Sequence, residues 1–483
     1  MKKFTNAAPS QNSRRYYIVY GIIIVIGTLL YASLLGGKYI WTDEAYTLTL
    51  IKHSYPEICA ITAADVHPPL YYILLKICIQ PFGYSLIAAK LFSIMPYILI
   101  LMIGGIELKK IFNSKIAIAF MILFLLFPFS LLYAVEIRMY SLAALFVFIN
   151  GIYAYQYYEK NSKPDYWIWI LSGVCASYTH YFAMVSVGTI YLLLLIAICF
   201  KKKALLKHWL IAVLMTLILY LPWLGSFMKQ LVYKVNNDYW ISEIHFWTIR
   251  EYAKTMFSAD GLKRFEVFAW CSYLLAFISV ILSRNKKLMI LSICALFVPA
   301  GTIFIGVTVS LIVRPIFIIR YVIPAVPLLI VFMAIGLCQI RFHALAILIC
   351  IIAFTGGINH YRTNLKLENR VVENALNTAF VETYSFCDAY VILTNPPISV
   401  SWVLAYYTPE KPIYVNQIVT AADPCDNIAY IDELNTSVND TIILMIDVGS
   451  EVPEHYLNQY ACQYLQEINA GGSLADVYLM TKK

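Results

Sequence analysis

Charged residues are scarce in this sequence. Asp, Glu, Lys and Arg make up 13% of the chain against 61% hydrophobic residues, and a mean hydropathy of +0.70 excludes the usual classes of soluble globular protein. No CxxC pair and no Cys/His cluster occurs among the eleven cysteines, which removes a thiolate metal centre from consideration. Cys175, Cys199, Cys271, Cys294, Cys338 and Cys350 lie within apolar runs as small apolar residues. No internal repeat is present, and a transporter built from repeated halves would show one.

Long apolar runs are what the chain has in abundance. About 20 such residues span a ~30 Å hydrocarbon core as a helix, and a bilayer offers backbone amides no other partner. Spans are expected at 16–36, 84–106, 116–134, 139–158, 166–182, 183–200, 208–224, 266–283, 288–310, 317–339 and 343–358, about eleven helices in all. Lys2, Lys3, Arg14 and Arg15 precede the first run as in a signal peptide, but its length and the lack of a small-residue cleavage site favour an uncleaved span.

Orientation follows from lysine and arginine. With the N-terminus inside, every second connection is basic: Lys109, Lys110 and Lys115; Lys160 and Lys163; Lys201, Lys202, Lys203 and Lys207; Arg284, Lys286 and Lys287; Arg341. The net charge of +8 is accounted for by this topology and gives no reason to expect nucleic acid as a partner. The expected location is the cytoplasmic (inner) membrane, with everything after about residue 359 extracytoplasmic. There the composition changes: DAYVILTN, KPIYV, TIILMID and ADVYLMTK read as strands, SVSWVLAYY and EHYLNQYACQYLQEI as helices. The fold class expected is mainly α, a polytopic helical bundle over 1–358 with a small C-terminal extracytoplasmic α/β domain over 359–483. That domain has no Walker loop and no GxGxxG, so nothing in it points to a nucleotide. Cys387, Cys425 and Cys462 fall on the outer side, where the compartment permits a disulfide whose partners the sequence does not fix. Two outer loops are long, 37–84 and 223–265, the second with interleaved aromatics and charges expected to form interfacial helices.

The few outer-side charges carry the chemistry. WTDEAYTL sets Asp43 and Glu44 just beyond the first span between Trp41 and Tyr46. A solvated loop pair is the plain reading; a carboxylate partly desolvated at the interface is the other, and it would have a raised pKa suited to a general base. In DVHPPL the prolines force His67 into an extended conformation and start a helix, with Asp65 and His67 at its entrance. Such an entrance can hold an anion or a sugar hydroxyl, or Asp65 can simply cap it. EIRMYSL places Glu136, Arg138 and Tyr140 between the third and fourth spans, and RYVIP puts Arg320 at the outer end of the tenth. Arginines on the same leaflet as carboxylates match a phosphate, whereas a lone one can snorkel. His180, in SYTHYF at the outer end of the fifth span, is either a packing residue or part of the same site.

In this order and spacing WTDEAYTL, DVHPPLYYILLK, EIRMYSLAALF and RYVIPAVPLL resemble the GT-C glycosyltransferases, specifically the bacterial relatives of protein O-mannosyltransferases and of the lipid A aminoarabinose transferase. The resemblance covers roughly 16–340 and omits the C-terminal domain. It implies an inverting transfer of a sugar from a polyprenyl-phosphate donor to an acceptor hydroxyl on a lipid, glycan or protein, in contact with membrane lipid. Asp43, Glu44 and Asp65 are its implied catalytic residues; His67, Glu136, Arg138, Tyr140, His180 and Arg320 are its implied substrate-binding residues. Some members of the family bind a divalent metal and others do not, so that question stays open. The chain is shorter than the eukaryotic mannosyltransferases and lacks their inserted loop domain. The rival readings are a polysaccharide polymerase or ligase using a diphosphate-linked donor, a lipid or glycan transporter, and a non-catalytic assembly protein. Charges clustered on one face argue against transport.

Overall fold

The apolar runs form helices, as backbone satisfaction in lipid requires. The computed structural model describes residues 11–36, 40–236, 241, 243–245, 247–248, 250–252, 263–340, 348, 359, 362, 376–395, 397–417, 422–431, 439–470 and 473–483. Two compact units divide the chain: Met1–Leu35 with Lys90–Asn364, and Gly36–Ala89 with Leu365–Lys483.

Among the described residues six helices are long and apolar enough to cross a membrane: Arg15–Ala32, Leu86–Ile111, Tyr181–Lys201, Lys203–Val232, Lys286–Ile312 and Ile319–Cys338. Helices also stand at the expected spans Ser114–Leu126, Tyr140–Lys160, Lys163–Thr179 and Lys263–Ile281, each too short or too polar to qualify with the six. The eleventh expected span, 343–358, lies outside the described residues but for residue 348. The fold is that of a polytopic helical membrane protein with a small C-terminal sheet. Its outward helix faces are apolar where a water-soluble protein would be polar: Ile22, Val25 and Leu29 are exposed on one helix, Leu214, Leu217 and Leu221 on another. The Val326–Cys338 helix, by contrast, is buried almost throughout.

Some boundaries differ from expectation for local reasons. The run expected at 116–134 ends at Leu126, and Pro128–Leu132 forms a separate turn of helix. Phe127 is extended (φ −66°, ψ 133°), because the ring of the following proline clashes with a helical conformation. The run expected at 208–224 is longer, Leu206–Asn236, and continues through Pro222. Most of 237–262, where the interfacial helices were expected, lies outside the described residues.

In the second unit the long first loop is three helices: Thr42–Leu50, Tyr55–Ala64 and Leu70–Ile79. The rest is a six-stranded sheet of β1 (Ala389–Ile392), β2 (Ile413–Val415), β3 (Ile428–Tyr430), β4 (Thr441–Asp447), β5 (Tyr460–Ala470) and β6 (Ser473–Lys482), in the order β3-β2-β1-β4-β6-β5. The first four are mutually parallel, with Tyr390 opposite Ile413 on one side and Ile443 on the other. Strands β6 and β5 close the edge antiparallel. The core is Ala389, Val391, Ile442, Leu444 and Ile446 with Tyr456, Tyr460 and Met480. Two elements depart from the sequence reading. Strand β3 was not anticipated, being only three residues long. The stretch 454–468, expected as one helix, is helical only over Glu454–Gln459 and then becomes β5. Its Tyr, Cys and Ile suit a strand, which pairs antiparallel with β6.

Candidate active site

Each unit holds one group of the residues singled out by sequence. In the second unit Asp43 and Glu44 occupy the first turn of the Thr42–Leu50 helix, where carboxylates complement the positive end of the helix dipole. The two differ in surroundings. Glu44 is buried, its Oε2 accepting the amide of Trp41 at 3.4 Å; Asp43 is partly exposed. The far end of the same helix is held by Lys76, whose Nζ donates to the carbonyls of Ile51 (3.0 Å), Lys52 (3.5 Å) and His53 (2.5 Å). Tyr46 faces Tyr72, with ring centroids 6.2 Å apart.

Asp65 closes the Tyr55–Ala64 helix, and the Pro68-Pro69 pair then starts the Leu70–Ile79 helix as the sequence implied. Asp65 Oδ2 lies 2.9 Å from His67 Nδ1, with both side chains partly buried. A carboxylate on Nδ1 fixes the ring's orientation and leaves proton acceptance to Nε2 when the ring is neutral. The arrangement suits a base, or a hydrogen-bond donor once protonated. Among the described residues no three His, Cys, Asp or Glu side chains group as a metal site would need.

The first unit holds the basic and aromatic group. A tight turn, with the Arg138 amide donating to Glu136 O at 2.8 Å, precedes the Tyr140–Lys160 helix. Arg138 is only 3% exposed and Tyr140 1%. The charges of Arg138, Arg320 and Glu136 all reach the Tyr140 hydroxyl, so these four sequence-predicted residues come together. Packing of the Tyr140–Lys160 helix on the Ile319–Ala325 turn brings Arg320 there. His180 breaks the chain between the helices Lys163–Thr179 and Tyr181–Lys201. Its Nδ1 accepts the Phe182 amide at 3.1 Å, which makes Nε2–H the donor of the neutral ring. The ring sits 5.6 Å from that of Tyr140 and 5.1 Å from that of Tyr321. The buried guanidinium of Arg138 and the half-buried one of Arg320, with a histidine N–H and a tyrosine, make a donor-rich setting for an oxyanion.

Sequence reasoning missed four residues. Lys90 is 1% exposed although it lies in an apolar run; an ionisable residue there was itself the signal. Arg314, with buried guanidinium atoms, sits six positions before Arg320 on the approach to the same turn, and Tyr321 adjoins Arg320. Lys76 ends the DVHPPLYYILLK motif, but only the fold reveals what it caps.

No protein-family profile matches the chain, and no curated protein matches it in sequence. Solved structures share its fold, among them two of ArnT from Cupriavidus metallidurans, one in the apo state (TM-score 0.65) and one bound to undecaprenyl phosphate (TM-score 0.62). Each is 9% identical in sequence, with 95% of this chain and 97% of that one covered. The likeness extends over the C-terminal sheet as well as the helices and shows that this chain has the fold of ArnT; at this identity it shows the fold alone.

Proposed function

We propose that the chain is a membrane glycosyltransferase that moves a sugar from a polyprenyl-phosphate donor to an acceptor hydroxyl at the extracytoplasmic face of the cytoplasmic membrane. The observation that carries this reading is the nearly chain-long likeness to a structure holding undecaprenyl phosphate. The group of Arg138, Tyr140 and Arg320 supports it, because such donors suit a lipid-borne phosphate.

Chemically, Asp43 accepts the proton of the acceptor hydroxyl, which attacks the anomeric carbon as the phosphate departs with the bonding pair. The in-line displacement inverts that carbon. Arg138 and Arg320 stabilise charge on the leaving phosphate, with His180 and Tyr140 as neutral donors. His67, oriented by Asp65, is a second polar group for the donor or the acceptor. Buried Glu44, tied to the Trp41 amide, serves to place Asp43 rather than to react. The test is to incubate the full chain in nanodiscs with labelled undecaprenyl-phosphate sugars and to follow loss of donor. Turnover of a monophosphate donor with release of undecaprenyl phosphate is the expected result. Turnover of diphosphate-linked donors alone would turn the reading to a polymerase or ligase, and no turnover with any donor would end it.

A further inference from the structure

The Thr42–Leu50 helix is only nine residues long, too short to hold its shape in water without tertiary contacts. Much of what it meets within its own unit comes from the far end of the chain. Tyr46 packs on Trp402 of the Ile398–Tyr407 helix, ring centroids 4.9 Å apart, and Thr42 Oγ1 donates to Ser399 O at 3.4 Å. Burial raises the pKa values of Tyr406 and Tyr407, and the charge of Glu44 reaches both hydroxyls and adds to the rise.

Trp402 is itself held at two points. Its ring meets Tyr46, and its indole N–H donates to Asp423 Oδ1 at 3.0 Å. The segment carrying Asp423 returns to the same loop: a ring nitrogen of His53 lies 2.7 Å from Pro424 O, and Cys425 sits beside Lys52 and Thr49. Lys52 Nζ stands 5.1 Å over the Tyr406 ring. Both ends of the acidic helix are thus fixed by residues 399–425.

We propose that the C-terminal domain is the positioning element for the acidic helix, with Trp402 as the positioning residue that sets where Asp43 points. The inference rests on the transferase reading for its kinetic consequence alone; the mechanical claim stands without it. Asp43 adjoins the anchored Glu44 on a helix gripped through Tyr46, so releasing Trp402 lets the helix shift and turn. A displacement of about 1 Å at a reacting group can cost roughly 100-fold in rate.

The experiment compares wild type, Trp402→Ala, Trp402→Phe and Tyr46→Leu as full chains in nanodiscs. It reads hydrogen exchange across 41–53, with β4 as the control, together with kcat and donor KM. In Trp402→Ala, exchange across 41–53 is expected to rise at least tenfold by the loss of local packing, while β4 stays protected. By the same displacement argument kcat falls roughly 10- to 100-fold, and donor KM holds within about twofold because the phosphate-binding arginines are untouched. Trp402→Phe, which keeps an aromatic ring, recovers most of both. Unchanged exchange across 41–53 in Trp402→Ala overturns the proposal whatever the rates do. If β4 loses protection in that variant, Tyr46→Leu decides from the acidic-helix side: raised exchange across 41–53 sustains the proposal and unchanged exchange overturns it. Wild type that transfers no sugar would sink the enzymatic reading, and the exchange result would still decide the mechanical one.

Discussion

Two neighbouring carboxylates illustrate how much one position along a helix matters. Asp43 and Glu44 share a first turn, yet Glu44 is buried against the Trp41 amide while Asp43 retains exposure. Replacing Asp43 by Asn preserves shape and helix-start chemistry but removes the proposed proton acceptor. The expected outcome is a loss of transfer of roughly 10²- to 10⁴-fold, with the unfolding midpoint little changed, read from donor turnover and thermal unfolding in parallel. Lys76 is the opposite case, a charge used for structure. At 6% exposure its ammonium is satisfied by the carbonyls of Ile51 and His53 and lies over the Tyr55 ring. Lys76→Met keeps the length and removes the donors, and should lower stability by about 1.5–3 kcal/mol, seen as an earlier thermal transition. Cys425 is inert for a related reason: burial, with Asp423 and Asp426 nearby, pushes its thiol up to about 12. Cys387, Cys425 and Cys462 are all free thiols, so the disulfide that the sequence left open is not formed.

Among the elements, Val326–Cys338 packs with its backbone very close to that of Lys263–Ile281. A Cβ built on Gly336 would stand 2.6 Å from the Ala276 carbonyl oxygen and 2.7 Å from its Cα. The neighbour is backbone, which cannot rotate away. Gly336→Ala should therefore cost about 1–3 kcal/mol by overpacking, despite alanine's better helix propensity; a rise in helix stability instead would show that the pair can separate cheaply. Element type was legible wherever periodicity was long, as for the membrane helices and for β4. It was misread at β5, where an apolar-polar mixture fits either period and the partner strand β6 decides. The helix starts at Pro69 and Pro128 were written locally, because proline constrains its predecessor in any context.

At the scale of the molecule, the exposed apolar faces define the solvent this protein needs. Leu214 is 56% exposed on the Leu206–Asn236 helix, a position that lipid, not water, would cover. Leu214→Arg should cost roughly 2.5–3.5 kcal/mol of insertion at a helix centre, measurable as a lower membrane-integrated fraction, whereas a water-facing position would tolerate it. The two compact units cut across chain order, joining residues Gly36–Ala89 to Leu365–Lys483. No composition shift signalled that pairing, since contact between segments so distant in sequence leaves no local pattern.

By itself the sequence determined the membrane class, the apolar helices and the identity of the scarce charges between them. Bilayer energetics act on each residue locally and write themselves into composition. It also determined that Asp43, Asp65 and Arg138 belong to motifs. Tertiary structure alone decided which charges are buried, that Asp65 orients His67, that Arg138 and Arg320 share Tyr140, and that Trp402 grips the acidic helix. Those facts depend on distances between segments far apart along the chain, and such distances are set by packing rather than by any local preference.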